Sequence, residues 1–342
     1  MTHRNPMTPG TLVLAQHPKH GWLLLNRATY ESVELEEEDV AELPTEGIIR
    51  RSPATGYTSA YFELIKACNL ACTHCYLGGA TADPLTLSQK KSALDFIEKQ
   101  GVIWLNLTGG EPLADPDFAD VYEHAWNLGF IITVMSNGLL LERDDLIDLF
   151  TRMPPYYLSL SLYGASEETY RRVTNRSGGW KKIQSSLRKA QKAGLRLAVK
   201  VLESKENVHE LEAMVVLAER YGFHKIMRDM IPTVEGNLAP LQLRCAEREP
   251  MEHFSECLAG SRSFFLTANG TVCPCAITQH LAIPLQEFTR LRAVAIEALK
   301  LPDDCKECPS FQRCGICPPR FRLLTRQGSL SCPERCNHEQ AS

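Results

Sequence analysis

The sequence predicts an α/β fold built on a parallel sheet, with a small α+β segment before it and a cysteine-rich extension after it. Three observations carry this. Short β-type runs alternate with amphipathic runs from about Tyr61 onward; three of those amphipathic runs stop at a glycine; and cysteines, absent between Cys75 and Cys245, crowd the stretch beyond. The β-type runs are Ala60–Lys66, Val102–Leu107, Phe130–Met135, Tyr157–Leu162, Arg196–Val201 and Lys225–Met230. Between them, Phe118, Val121, Tyr122, Ala125 and Leu128 make an apolar stripe at helical spacing closed by Gly129. Ile183, Leu187 and Ala190 repeat it before Gly194, and Leu211, Met214, Val215 and Ala218 repeat it before Gly222. Asn207 with Glu210 three residues later reads as a capping box for the last of these helices. Strand and helix alternation of this kind fits a doubly wound sheet or a partial barrel, since both bury parallel strands under crossover helices.

The first 56 residues differ in pattern. Thr11–Leu14 and Trp22–Asn26 read as a β-hairpin, followed by an acidic stretch from Glu34 to Asp39, a short helical pattern and the run Ile48–Arg51. The chain therefore divides at residues 1–56, 57–238 and 239–342. With 342 residues, 44% hydrophobic and 23% charged, it has the composition of a soluble protein with a full core. No apolar run is long enough to span a bilayer and no secretory segment opens the chain. A formal net charge of −4 gives no electrostatic argument for nucleic acid or an anionic membrane. Thirteen cysteines without an export signal point to a reducing, cytoplasmic setting in which thiols bind metal.

Those thiols fall in two regions, and so imply two metal regions. Cys68, Cys72 and Cys75 sit in the run Cys-Asn-Leu-Ala-Cys-Thr-His-Cys. A cubane iron–sulfur cluster takes four thiolates, so three this close, with no fourth nearby, leave one iron open to a small molecule. Half a zinc site is the alternative, because zinc takes mixed Cys and His ligands. Ten cysteines follow: Cys245, Cys257, Cys273 and Cys275, then Cys305, Cys308, Cys314, Cys317, Cys332 and Cys336. Paired C-x2-C elements are also the spacing of zinc knuckles.

The C-x3-C-x2-C triplet, with the aromatic His74 before its last cysteine, resembles the signature of the radical S-adenosylmethionine (SAM) superfamily. Thr108-Gly109-Gly110-Glu111-Pro112, directly after the second predicted strand, strengthens the likeness. The resemblance implies a partial (β/α)6 TIM-like barrel with chemistry at the C-terminal ends of its strands, where Cys68 to Cys75 fall. It implies that Cys68, Cys72 and Cys75 hold a [4Fe–4S] cluster whose open iron chelates the amino and carboxylate groups of SAM. Reductive cleavage then yields a 5′-deoxyadenosyl radical that abstracts hydrogen from substrate.

By the same resemblance Gly109, Gly110, Glu111 and Pro112 bind the SAM amino group, and Ser136, Asn137, Ser159, Ser161, Tyr163 and Gly164 line the pocket. Ser161 is the preferred contact for the SAM carboxylate. Asn-Gly and Tyr-Gly also serve as ordinary turns. Lys200 and Arg228 are charges inside apolar strands, which need an anionic partner from SAM, from substrate or from a structural ion pair.

The later cysteines resemble a SPASM extension, which holds one or two auxiliary [4Fe–4S] clusters. Cys257, Cys275, Cys305, Cys308, Cys314, Cys317, Cys332 and Cys336 are its candidate ligands. The pattern departs in two places: two residues rather than three separate Cys314 from Cys317, and no cysteine follows shortly after Cys257. The first auxiliary cluster then lacks a ligand or recruits Cys273 or Cys245. Sulfatase-maturing members carry an Asp after the counterpart of Cys275; Ala276 stands here, against that branch. The run from Ser161 to Tyr170, with Ile231-Pro232, looks like a subgroup that modifies ribosomally made peptides, which some haem-pathway decarboxylases also resemble. The N-terminal segment resembles, weakly, the winged-helix peptide-binding modules of such enzymes; a cap packed on the barrel is the alternative.

The resemblance implies a precursor peptide substrate and a reducing partner such as flavodoxin or ferredoxin, with no nucleic acid or membrane partner. Radical oxidation or decarboxylation of a small molecule such as a tetrapyrrole is the alternative. A non-catalytic iron–sulfur or zinc protein is the third.

Overall fold

In the computed structural model of the chain the described residues are 11–17, 21–52, 55–75, 77, 84–204, 206–227 and 257–300. Arg228, Cys245, Cys305, Cys308, Cys314, Cys317, Cys332 and Cys336 lie outside them.

Six parallel strands form the centre: β5 (Ser59–Glu63), β6 (Trp104–Thr108), β7 (Ile131–Ser136), β8 (Tyr157–Leu162), β9 (Leu197–Leu202) and β10 (Phe223–Met227). Their spatial order is their sequence order. A doubly wound sheet reverses its order at a switch point; this one does not, which makes it a partial barrel. The crossovers are α2 (Leu87–Lys99), α3 (Phe118–Asn127), α4 (Asp144–Arg152), the pair α5 (Glu167–Thr174) and α6 (Gly179–Lys192), and α7 (Leu211–Glu219).

Period-two alternation along the strands separates the two faces of this sheet. Ala60, Phe62, Leu105, Leu107, Ile132, Val134, Leu158, Leu160, Val199 and Val201 are buried in one core with the helices. Tyr61, Asn106, Thr133, Ser161 and Lys200 point the other way and are half-buried, so they line the lumen. Tyr61 pairs in register with Asn106, Asn106 with Thr133, and Ser161 with Lys200.

Two additions flank the barrel. At its β5 edge the sheet continues through β11 (Ser263–Leu266), parallel to β5, then antiparallel through β12 (Thr271–Cys273) and β13 (Ile283–Pro284). Helix α8 (Leu291–Leu299) follows.

The N-terminal segment forms a separate four-stranded sheet. Its elements are β1 (Leu12–His17), β2 (Gly21–Asn26), β3 (Ser32–Leu35), α1 (Glu37–Glu42) and β4 (Ile48–Arg51), in spatial order β3-β2-β1-β4. The hairpin and the run Ile48–Arg51 agree with the sequence; β3, which starts before the acidic stretch and runs into it at Glu34 and Leu35, is an addition to that reading. Val13, Ala15 and Leu25 of this sheet pack with Ile103 and Ile131, which stand at the N-terminal ends of β6 and β7.

Two buried arginines fasten the same junction. Arg27 Nη1 donates to Trp126 O at 2.7 Å with its guanidinium over the Trp126 ring, and Arg51 donates to Leu128 O and, at 2.7 Å, to Glu98 Oε1. They cap carbonyls at the end of α3 that the helix cannot satisfy itself. The sheet therefore covers the barrel floor, at the end opposite the cysteine loop.

One local expectation is overturned. Asn207 and Glu210 do not form a capping box. Asn207 Nδ2 donates to Tyr163 O at 2.9 Å and Leu202 O at 2.6 Å, while the Glu210 carboxylate accepts Ala165 N at 2.7 Å and Ser166 Oγ at 2.5 Å. Both side chains tie the β8 loop to the β9 loop, because those buried backbone donors and acceptors have no strand partner of their own.

Candidate functional site

Strand β5 ends at Glu63 and the chain crosses the barrel rim before entering the loop Cys68 to Cys75. Leu64 N donates to Thr108 O at 2.9 Å, Gly110 N to Ile65 O at 2.7 Å, and Glu111 N to Ala67 O at 3.0 Å. The Gly-Gly pair is needed for this approach: a Cβ on Gly110 would stand 2.3 Å from Lys66 O, and one on Gly109 2.5 Å from Ile65 O. On its other side the loop is held by α5. Ala71 N donates to Thr174 O and Thr73 N to Val173 O, while Asn175 Nδ2 reaches Ala71 O at 2.8 Å and Arg176 Nη1 reaches Asn69 O at 2.9 Å. Asn175 turns back there because it adopts the left-handed conformation that ends α5, at φ 53°.

All three loop cysteines are free thiols. Leu70 N lies 3.4 Å and Asn137 Nδ2 3.8 Å from Cys68 Sγ, and Asn137 also donates to Asn69 Oδ1 at 2.6 Å. Burial pushes the Cys72 thiol well up, the charges of Cys68 and Cys75 push it further, and a hydrogen bond from Tyr163 opposes them. Thiols that repel one another's charge in this way are relieved by a cationic metal group, which deprotonates its ligands outright.

Glu111 is fully buried. Its carboxylate accepts Leu113 N at 3.0 Å, Ser136 Oγ at 2.8 Å and Asn137 N at 2.7 Å. Burial raises its pKa to about 7 against those hydrogen bonds. The side chain expected to meet an ammonium group thus ties the end of β6 to the end of β7 and fixes Ser136 and Asn137 beside the cysteines. Pro112 begins the single 3₁₀ turn that aims it.

Ser161 is half-buried and bonds the Tyr163 hydroxyl, which in turn bonds Cys72. His74 lies 5.3 Å from the Tyr163 ring, and Tyr163 meets Tyr170 edge-on at 5.7 Å. His74 Nδ1, Ser159 Oγ and Tyr170 OH are buried with no hydrogen-bond partner among the described residues. Each such atom costs about 1–3 kcal/mol, and two of them, on His74 and Tyr170, flank Tyr163, where a polar guest would satisfy them. Burial lowers the His74 pKa to about 4, leaving the ring neutral. A three-thiol loop, a glycine cradle and orphaned polar atoms fit a site-differentiated cluster with a polar organic ligand.

Lys200 stands on the lumen face of β9 at the level of Ser161, its partner in register. Cys257, Cys273 and Cys275 are free thiols at the β5 edge of the sheet. Asn69, Asn175 and Arg176 join the site without any periodic signal: Asn69 stands next to Cys68, and Asn175 and Arg176 directly follow α5. Among the described residues no three His, Cys, Asp or Glu side chains converge as ligands of a single ion, and no helix is long and apolar enough to cross a membrane.

The family model described as the Radical SAM superfamily matches residues 62–218. Among curated proteins, the AdoMet-dependent heme synthase of Methanosarcina barkeri is 24% identical over 309 residues, covering 75% of this chain and 87% of that protein. Mycofactocin maturase MftC of Mycobacterium tuberculosis is 30% identical over 167 residues, covering 47% of this chain and 41% of the maturase. This chain thus spans less than half the length of that maturase. Among solved structures, SuiB of Streptococcus suis bound to S-adenosylmethionine superposes with a TM-score of 0.66 at 12% identity, over 91% of this chain and 94% of SuiB. The same enzyme bound to its precursor peptide SuiA gives 0.64. At such identities these structures speak for the fold.

Proposed function

We propose that this chain, whose residues 62–218 match the radical SAM superfamily model, is an enzyme that modifies a ribosomally synthesised peptide, by cross-linking or another C–H functionalisation. When bound, a [4Fe–4S] cluster with SAM supplies a 5′-deoxyadenosyl radical. The chain's own residues do the rest. Cys68, Cys72 and Cys75 hold the cluster. Gly109, Gly110, Glu111 and Pro112 close the rim over it, while Ser136, Asn137 and Ser161 present polar atoms to the SAM headgroup. Lys200 and Arg228 serve an anionic group of SAM or substrate.

The single observation that carries the peptide reading is the lumen. Six parallel strands leave an open-sided channel lined by half-buried Tyr61, Asn106, Thr133, Ser161 and Lys200, below the cysteine loop. An extended polar chain can hydrogen-bond along such a surface, and the buried rim keeps water from the reacting carbon. SuiB binding its precursor SuiA, and the maturase name of MftC, support the same class of substrate. One or two auxiliary [4Fe–4S] clusters on the later cysteines, a flavodoxin or ferredoxin as reductant, and a cytoplasmic location complete the proposal. The N-terminal sheet, seated on the barrel floor, is its candidate for leader-peptide recognition.

A second reading is oxidation or decarboxylation of a tetrapyrrole, favoured by the breadth of the heme synthase match. The discriminating experiment is anaerobic. The reconstituted protein should release 5′-deoxyadenosine from SAM with reductant, and Cys68→Ala should abolish it; no release sinks the enzyme. Co-expression with a short peptide encoded beside the gene, in deuterated water, then decides by mass spectrometry. Loss of two hydrogens means an oxidative cross-link, and deuterium gained at one carbon means epimerisation. An untouched peptide alongside a coloured co-purifying ligand favours the tetrapyrrole.

A further inference from the structure

We propose that Cys273, together with Cys257 and Cys275, is a thiolate ligand of an auxiliary iron–sulfur cluster; this rests on the auxiliary-cluster part of the function proposed above. The argument starts from strand alternation. Val272 is buried in the main core with Phe264 and Leu266, so Cys273, the next residue of β12, is turned to the opposite face. Its partner in register is Phe265, whose partner is Tyr61 of the lumen face, and those two rings stack at 6.5 Å. Cys275 lies two residues further on, past the end of β12, where the chain bends at Pro274 and Cys275 while Cys275 itself keeps an extended backbone at φ −158° and ψ 171°; what sets it beside Cys273 is a shared contact.

A single hydroxyl locates the two sulfurs relative to one another. Thr278 Oγ1 stands 3.7 Å from Cys275 Sγ and also bonds the Cys273 thiol. Cys257, at the start of the segment leading to β11, is close enough for its charge to act on Cys275. Two thiols, Cys273 and Cys275, therefore share Thr278, and a third free thiol, Cys257, lies at the same edge of the barrel. Among the described residues Cys273 forms no disulfide, and its thiol, completely excluded from solvent, has Cys275 O at 3.3 Å and Thr278 as polar company besides the neighbouring charge of Glu63. Cys273 is thus placed to replace the ligand that the sequence lacks shortly after Cys257. The consequence reaches the first cluster: Glu63, whose carboxylate accepts Ala268 N at 3.1 Å and Gln279 Nε2 at 3.4 Å, ends the strand that runs into Cys68. Glu63 at the end of β5 thus links the segment of Cys273 and Cys275 to the strand that leads into the cysteine loop.

The test uses full-length protein in which Cys68, Cys72 and Cys75 are all alanine, so that any iron belongs to the later cysteines. After anaerobic reconstitution, iron and sulfide per chain and the EPR spectrum of the reduced protein are read. Cys273→Ala in this background should lose the same iron as Cys275→Ala, about four atoms for one cubane, and Cys273→Ser should keep part of it with an altered EPR signature. Should Cys273→Ala keep the parent's iron and spectrum while Cys275→Ala loses them, Cys273 is no ligand although the auxiliary cluster stands. Should the parent itself hold no iron, the auxiliary-cluster reading falls and this inference with it.

Thr278→Val guards against a folding defect, because it alters no thiol. It should retain the iron and move the cluster's reduction potential to more negative values, since hydrogen bonds to the sulfurs help set that potential. An unchanged potential overturns the placement of the sulfurs around Thr278.

Discussion

Replacing Gly110 by alanine tests whether the glycine pair exists for close approach or merely for a turn. The added Cβ would stand 2.3 Å from Lys66 O and 2.4 Å from Ala67 O, and both are backbone atoms that cannot rotate aside. To restore ordinary contact the rim and the cysteine loop must part by roughly 1 Å, the scale of backbone shift that overpacking forces, at about 1–3 kcal/mol. That separation stretches Gly110 N to Ile65 O, 2.7 Å, and Glu111 N to Ala67 O, 3.0 Å, which adds about 1 kcal/mol for each bond. The sum, roughly 3–5 kcal/mol, lowers Tm by roughly 4–7 °C at about 2.1 cal/mol/K of unfolding entropy per residue in a chain of this size. A loop displaced by about 1 Å also costs about 100-fold in turnover. The assay is 5′-deoxyadenosine release with iron content and thermal unfolding read on the same sample. Gly194→Ala is the control: its φ of +72° strains an alanine, yet nothing lies within 4 Å of its Cβ, so it should lose about 1 kcal/mol and leave iron and turnover alone. If Gly110→Ala behaves like Gly194→Ala, the cradle argument is wrong.

Three further outcomes follow from buried charge. Lys90 Nζ bonds both oxygens of Asp115 at 2.7 Å, their side chains 2% and 1% exposed, and reaches Asp117 at 3.0 Å. Lys90→Met strands Asp115 and should destabilise the apoprotein by about 3–5 kcal/mol in urea unfolding, with Lys90→Met plus Asp115→Leu recovering most of it. Glu111 titrates from 4.5 when unfolded to about 7 when folded, so its stabilising contribution is complete below about pH 4.5 and is lost as pH rises through 7. At about 1.4 kcal/mol per pH unit this is about 3 kcal/mol; the slope of apoprotein stability over that interval should flatten in Glu111→Gln, and an unchanged slope contradicts the assignment. Arg27→Met removes the cap on Trp126 O and should lower Tm while iron content stays at the wild-type level, since the N-terminal sheet covers the floor and not the loop; iron loss would mean that the floor and the rim are coupled.

Much of the barrel was legible because its information is local. A strand such as Tyr61-Phe62-Glu63 shows its two faces in its own alternation, and a glycine such as Gly129 or Gly194 ends a helix by its own conformation, φ 89° and 72°. The cysteine triplet and the Gly-Gly pair likewise sit within a few residues of the elements that position them. What escaped depends on partners far away in sequence. The Asn207 and Glu210 pair has the spacing of a capping box, but a carboxylate three residues from an asparagine is equally able to bond a distant donor, and Ala165 N and Ser166 Oγ were waiting for one. Strand β3 was hidden because an edge strand exposed to water needs no apolar alternation; its Val33 is largely exposed and its acidic neighbours guard the edge against further pairing.

The facing of Cys273 belongs to the same class. From sequence, cysteines at positions 273 and 275 could face either side of whatever strand carried them. The choice is made by Val272, whose burial against Phe264 and Leu266 commits the opposite face of β12, and by the parallel join of β11 to β5, a pairing across some 200 residues that no local pattern announces. A one-residue slip in that register would turn Cys273 into the hydrophobic core and Val272 toward the lumen. On the proposed ligation, register at the β5 edge therefore determines which sulfurs can reach iron. A Phe264→Ser substitution, which weakens the core side of this register, should lower auxiliary iron without touching a thiol, and intact auxiliary iron in that variant would separate the cluster from the strand pairing that here orients it.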